Sequence, residues 1–129
     1  MVGADHQQAL DFYVGKLGLE VKADYTRGGF RWLTVGVPGE AVPEVALGVP
    51  GPPLMDDKTA DQVRELVTKG ALGGLVMKTD DCFGLYERLK AKGVEFTQAA
   101  TEHGYGTDCG IRDPFGNQIR VLQPKARKA

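Results

Sequence analysis

Asp5-His6-Gln7-Gln8-Ala9-Leu10-Asp11-Phe12-Tyr13-Val14-Gly15-Lys16-Leu17-Gly18-Leu19-Glu20-Val21 is the stretch on which the fold turns. An Asp with Gln three residues on has the spacing of a capping box, which satisfies the free amides of a helix start. Ala9, Phe12, Tyr13 and Leu17 then recur at helical spacing, and Gly18 supplies the stop. The same order returns downstream. The offset that carries Asp5 onto Asp80 also carries Leu10 onto Leu85, and Gly18-Leu19-Glu20-Val21 onto Gly93-Val94-Glu95-Phe96. Identities are few, so the order of elements is the stronger observation: strand, helix, then three strands, twice.

Outward from the first helix, residues 19–27 read as a strand, Gly28-Gly29 as a hairpin turn, and 30–35 as an alternating β-rich strand. Val37-Pro38-Gly39-Glu40 breaks that strand, and 44–49 is a further one. Gly51-Pro52-Pro53 forbids regular structure and marks a linker. Thr59-Ala60-Asp61-Gln62 looks like another capping box, with Val63, Leu66 and Val67 on one face of the helix it opens and Gly70 at its end. In the second pass, 74–79 is strand-like, and Asp81 caps a helix carrying Leu85 and Leu89. Residues 94–98, 108–112 and 118–122 are strands, the last two joined by the turn Asp113-Pro114-Phe115-Gly116-Asn117. The expected organisation is one domain: a first module over 1–50, a linker and extra helix over 51–72, a second module over 73–124 and a basic tail over 125–129. The expected class is α+β, two βαβββ modules curving a mixed sheet into a cup with helices outside.

With 129 residues, 42% hydrophobic and 26% charged, the chain can bury one sizeable core. Sixteen Lys+Arg against seventeen Asp+Glu leave a formal charge of −1, which argues against nucleic acid or an anionic membrane as partner, since both need a concentrated basic field. Lys125, Arg127 and Lys128 read as a solubilising tail. No apolar run approaches the ~18 residues of a membrane span, and no leader pattern follows Met1, so a soluble cytoplasmic protein is expected. Two cysteines make no disulfide framework, and two histidines leave little material for a metal cage.

The helix Asp5-(x)3-Ala9-Leu10-Asp11-Phe12-Tyr13-(x)3-Leu17-Gly18, the segment Gly93-Val94-Glu95-Phe96 and the hairpin Arg112-Asp113-Pro114-Phe115-Gly116-Asn117 resemble the vicinal oxygen chelate superfamily, the glyoxalase, bleomycin-resistance and extradiol-dioxygenase group. The resemblance covers essentially the whole chain except the first strand. It implies a paired βαβββ fold, usually a homodimer with ligand sites in concave clefts. It also implies, for catalytic members, one divalent metal held by His and Glu on inward strand faces. Such chemistry needs several N/O ligands converging on one point. The resemblance puts the fifth-strand histidine where Gly74 stands and the last-strand glutamate at Arg120, while the first-strand ligand falls before Met1. Glu44 is left as a single carboxylate.

Other candidates have plain readings. His6, beside the capping Asp5, is expected as an exposed imidazole, and His103, in the Gly-rich loop Glu102-His103-Gly104-Tyr105-Gly106, as a loop residue with some chance of touching ligand. Cys82 and Cys109 look like small core residues, and Asp108 with His103 is not read as a triad.

Strand alternation sorts the remaining side chains. With Leu33, Val35, Leu75, Met77, Cys109, Ile111, Ile119 and Val121 on the helix side, the inward set is Trp32, Thr34, Gly74, Val76, Lys78, Asp108, Gly110, Arg112, Gln118, Arg120 and Leu122. Tyr105 and the Pro52-Pro53-Leu54-Met55 linker would roof the cleft. One large aromatic, small-residue gaps and polar heads suit a flat, polar-edged molecule. Ligand-binding residues are therefore expected at Trp32, Thr34, Val76, Tyr105, Asp108, Gly110, Arg112, Gln118, Arg120 and Leu122, with no cofactor. Three readings stay open. The first is a metal-free homodimer that sequesters a small aromatic ligand or drug. The second is an enzyme with one divalent metal of the glyoxalase, isomerase or extradiol-dioxygenase kind. The third is a module whose cleft is vestigial and which only binds a partner.

Overall fold

Asp5 does cap the first helix: its carboxylate accepts from the amides of Gln7 at 2.7 Å and Gln8 at 3.4 Å. The computed structural model describes residues 1, 3, 5–41, 43–72 and 74–125, so the Arg127-Lys128 end of the basic tail lies outside them. In chain order the elements are α1 (His6–Tyr13), β1 (Glu20–Arg27), β2 (Phe30–Gly36), β3 (Glu44–Ala46), α2 (Asp57–Thr68), β4 (Leu75–Lys78), α3 (Cys82–Ala91), β5 (Glu95–His103), β6 (Gly106–Arg112) and β7 (Gln118–Pro124). The chain divides into two units, Met1–Leu72 with Pro114–Asn117, and Gly73–Asp113 with Gln118–Ala129.

The first unit holds α1, α2 and an antiparallel sheet in the order β1-β2-β3. Gly28 and Gly29 have φ of 56° and 77°, the two left-handed positions that a two-residue hairpin turn of the right twist demands. The core is built from Ala9, Phe12 and Tyr13 of α1, Leu33 and Val35 of β2, and Ala60 and Val67 of α2, all buried. Each such large apolar side chain contributes about 1.5–3 kcal/mol of transfer free energy. Two expectations for α2 are corrected. The helix starts earlier because Asp56, not Thr59, is the cap and accepts from the Thr59 amide at 2.7 Å. Its buried face runs through Ala60 and Val67, while Leu66 is 41% exposed. Gly48 donates to the Met1 carbonyl and accepts from the Gly3 amide, both at 2.9 Å.

The second unit is a four-stranded sheet in the order β4-β7-β6-β5, with β4 parallel to β7 and the other pairs antiparallel. Helix α3 packs on one face, against β5, β6 and β7. Asp81 caps it by accepting from the Gly84 amide at 3.0 Å. Cys82 and Leu89 from the helix are buried, as are Cys109, Ile111, Ile119 and Val121 from the sheet, the alternation expected from sequence. Two strands are longer than their apolar patterns. β5 runs on to His103 and β6 begins at Gly106, because the polar Thr101, Glu102 and Thr107 continue the ladder in register.

Candidate ligand-binding site on the second sheet

The face of the second sheet opposite α3 carries the polar residues. One row across it is Val76, Arg120, Gly110 and Gln98, each the register partner of the next. The adjoining row is Lys78, Leu122, Asp108 and Thr101. A cavity of about 460 Å³ opens here, with Gly74, Val76, Gly110, Gln118 and Arg120 in its wall. Leu75, Thr97, Gln98 and Ile119 complete the wall. Gly110, in that wall, leaves room for its neighbours' side chains: a Cβ there would lie 2.4 Å from Thr97 Oγ1 and 3.5 Å from Arg120 Nη1.

In the adjoining row stands a buried carboxylate. Asp108, 2% exposed, accepts at Oδ1 from Gln98 Nε2 (2.8 Å) and at Oδ2 from the Tyr105 hydroxyl (2.8 Å). His103 Nε2 stands 2.9 Å from Oδ1, and Arg120 Nε is 3.8 Å from Oδ2. Burial alone would raise the carboxyl pKa. The bonds from Tyr105 and Gln98, the Arg120 charge and the His103 bond outweigh it and hold the group below its ordinary range. Asp108 is thus an anion whose oxygens are committed to protein donors, not a free base. Gln98 is locked at both ends, since its Oε1 accepts from Arg120 Nη1 and Nη2 at 3.2 and 3.1 Å.

Of the residues expected at a site, the cavity wall collects Val76, Gly110, Gln118 and Arg120. Asp108, Arg112 and Leu122 alternate onto the same face but lie outside the wall. Arg112 Nε is buried with no hydrogen-bond partner among the described residues. Tyr105 sits on the β5–β6 hairpin, 58% exposed, its ring stacked on His103 at 4.9 Å. Trp32 and Thr34 belong to the first unit's sheet. There Trp32 is 41% exposed, opposite Tyr25 and 6.5 Å from Phe30. Thr34 is 2% exposed, and its hydroxyl donates to Glu44 Oε1 at 2.7 Å.

Two histidine expectations are corrected. His103 is the last residue of β5 and bonds Asp108. His6 is half-buried, and its Nε2 is out of reach of solvent without a partner among the described residues. Burial first, then the charge of Arg31, push its pKa below the ordinary value. Sequence reasoning missed Thr97 and Gln98. The ladder slips between Phe96 and Gln98 and again before Thr101, and at such irregularities simple alternation fails.

Residues 1–121 match the profile of the Glyoxalase/Bleomycin resistance protein/Dioxygenase superfamily. This chain belongs to that superfamily. The crystal structure of UcmS2 superposes with a TM-score of 0.90 at 38% identity, covering 95% of this chain and 92% of that one. TnmS3, an antibiotic binding protein from Streptomyces sp. CB03234, superposes with a TM-score of 0.73 at 28% identity over 97% of this chain and 93% of its own. YurT, an uncharacterized protein of Bacillus subtilis (strain 168), is 32% identical over 119 residues, 92% of this chain and 91% of its own. The α+β fold of paired modules is therefore that of the superfamily.

The resemblance implies a divalent metal in catalytic members, and the residues that it puts at the ligand places do not fit one. Gly74 offers no side chain, and a guanidinium such as Arg120's has no lone pair to give a cation. Among the described residues, no three His, Cys, Asp or Glu side chains converge. Nor does a thiol nucleophile stand in: burial above all pushes Cys109 up to about 12, and burial raises Cys82 too.

Proposed function

We propose that this chain is a metal-free, cytoplasmic homodimer that binds a small planar aromatic or natural-product-like molecule and keeps it from its target, as a drug- or antibiotic-sequestering member of its superfamily. The observation that carries the reading is the cavity over Gly110 and Gly74. Its lining combines the two glycines and the apolar Leu75, Val76 and Ile119 with the polar Thr97, Gln98, Gln118 and Arg120. A flat ring is accommodated by the first feature and its polar edge by the last. The likeness to TnmS3, an antibiotic binding protein, supports the same reading. Sequestration needs no acid, base or nucleophile. It needs only reversible burial tight enough to lower the free ligand concentration. The committed oxygens of Asp108 and the raised thiol of Cys109 suit such a protein.

Equilibrium dialysis of EDTA-treated protein against a panel of polycyclic aromatic natural products tests the proposal. Saturable binding of at least one, unchanged by EDTA, is the expected result, with a sedimentation mass twice the 13.9 kDa chain. A stoichiometric divalent metal in the purified protein, or turnover of a thiol–aldehyde adduct or catechol that EDTA abolishes, makes it an enzyme instead.

A further inference from the structure

Resting on the ligand-binding reading of this cavity, we infer that Arg120 is a stacking platform, and that the ligand it selects carries an electron-rich planar ring. The argument is geometric. Arg120 stands on β7, Gly110 is its partner on β6, and Gln98 partners Gly110 on β5. The guanidinium bonds Gln98 through both Nη1 and Nη2, so the side chain reaches across β6 at Gly110, which has no Cβ. Nη1 passes 3.5 Å from where that Cβ would stand. On the Nε side, Asp108 Oδ2 lies 3.8 Å away.

Two sides of the guanidinium rim are thus turned toward protein acceptors. One N–H each of Nη1 and Nη2 is used by Gln98, and Nε lies 3.8 Å from a carboxylate whose other partners hold it in place. A guanidinium bound along its rim presents its faces, and those faces stack on aromatic rings and attract their π-electrons. The side chain is 47% exposed and lines the cavity, which leaves it accessible to a ligand there. Val76, its neighbour on β4 and 66% exposed, supplies an apolar flank for the same ring. Asp108 leaves the pair neutral overall, so the pull is on a ring's electrons more than on a free anionic group. Gln98 is then a positioning residue, holding the cation flat.

The test uses three compounds with one hydroxyl each: 2-naphthol, 6-cyano-2-naphthol and decahydro-2-naphthol, at a pH where both phenols are neutral. Calorimetry of the native protein is expected to rank them in that order, 2-naphthol binding about 3- to 10-fold more tightly than the saturated alcohol in excess of its water-to-octanol preference. On adding 2-naphthol, the Arg120 Nε–H proton resonance is expected to move upfield, as it does above a ring face. Arg120→Met is expected to abolish the excess preference, and Arg120→Lys to retain part of it. A downfield shift, or an unchanged ranking in Arg120→Met, overturns the stacking inference while leaving the cavity a binding site. Absence of binding by all three, where the polycyclic panel does bind, also overturns the stacking inference, and absence of binding by the panel as well overturns the ligand-binding reading itself. The ranking and the shift are read on the native protein, so a variant that misfolds does not remove the test.

Discussion

The Tyr105 hydroxyl donates to Asp108 Oδ2 at 2.8 Å, tying a half-exposed ring to a buried carboxylate. The bond to Asp108 is the main cause that raises the phenol pKa, helped by burial and by the Asp108 charge. In a spectrophotometric titration one of the four tyrosines is therefore expected to ionise above the ordinary phenol value, and to return toward it in Asp108→Asn. The same bond has a consequence for acid stability. Asp108 ionises below 3.8 in the folded state, so the stability it contributes is present above that value and is lost as pH falls through the folded pKa. Tyr105→Phe is expected to lower the melting temperature at neutral pH, and the gap from wild type is expected to close in acid. A constant gap across the titration refutes the linkage.

Cys82 Sγ and Cys109 Sγ are 3.9 Å apart, and both residues are 0% exposed. A disulfide needs about 2.05 Å, so the sulfurs pack as neighbours and not as a bond. With burial raising both pKa values, the thiolate population at neutral pH is negligible. Iodoacetamide is expected to leave both cysteines unmodified in native protein and to label both in urea, counted by intact mass. Cys109→Ser puts a hydroxyl among buried sulfur and carbon, and is expected to destabilise by about 1–3 kcal/mol in urea melts. Fast native labelling of either residue contradicts the packing.

His6 gives the first unit a pH response of its own. Its folded pKa lies below 6.5, chiefly from burial, with Arg31 adding to the shift and Asp24 and Asp5 opposing it. The unfolded chain therefore takes up the proton first as pH falls. The contribution is complete above 6.5 and is lost as pH drops from there toward the folded pKa. Melting temperature is expected to fall across that interval and the fall to be smaller in His6→Gln. Equal slopes for the two proteins mean that another group carries the effect.

How much of this was legible in the sequence depends on how local the cause is. Asp5, Asp81, Gly18 and the Gly28-Gly29 pair act within a few residues, so both module helices and the first hairpin were readable. Alternation placed Val76, Gly110, Gln118 and Arg120 on one face because β6 and β7 pair without interruption. It failed on β5, where slipped register brings Thr97 and Gln98 to the same wall, and it missed the Thr34–Glu44 hydrogen bond. His103 was misread because its partner, Asp108, faces it across a hairpin whose extent no apolar pattern announces.

Gly110 allows the cavity to be tested by filling it. A single added methyl would lie 2.4 Å from Thr97 Oγ1, but Thr97 is exposed and its hydroxyl can turn aside, so Gly110→Ala is expected to fold and to bind more weakly. Valine is different. Its branches are stiff at χ1 and extend toward the guanidinium that now passes 3.5 Å from the methyl position, so Arg120 must leave Gln98. Gly110→Val is expected to abolish binding of 2-naphthol and to cost about 1–3 kcal/mol of stability from overpacking. Gly104→Ala is the matched control, because its Cβ enters open space. Should Gly110→Val fold and bind as tightly as Gly104→Ala, the ligand lies elsewhere, and the polar face of the second sheet is not the binding surface.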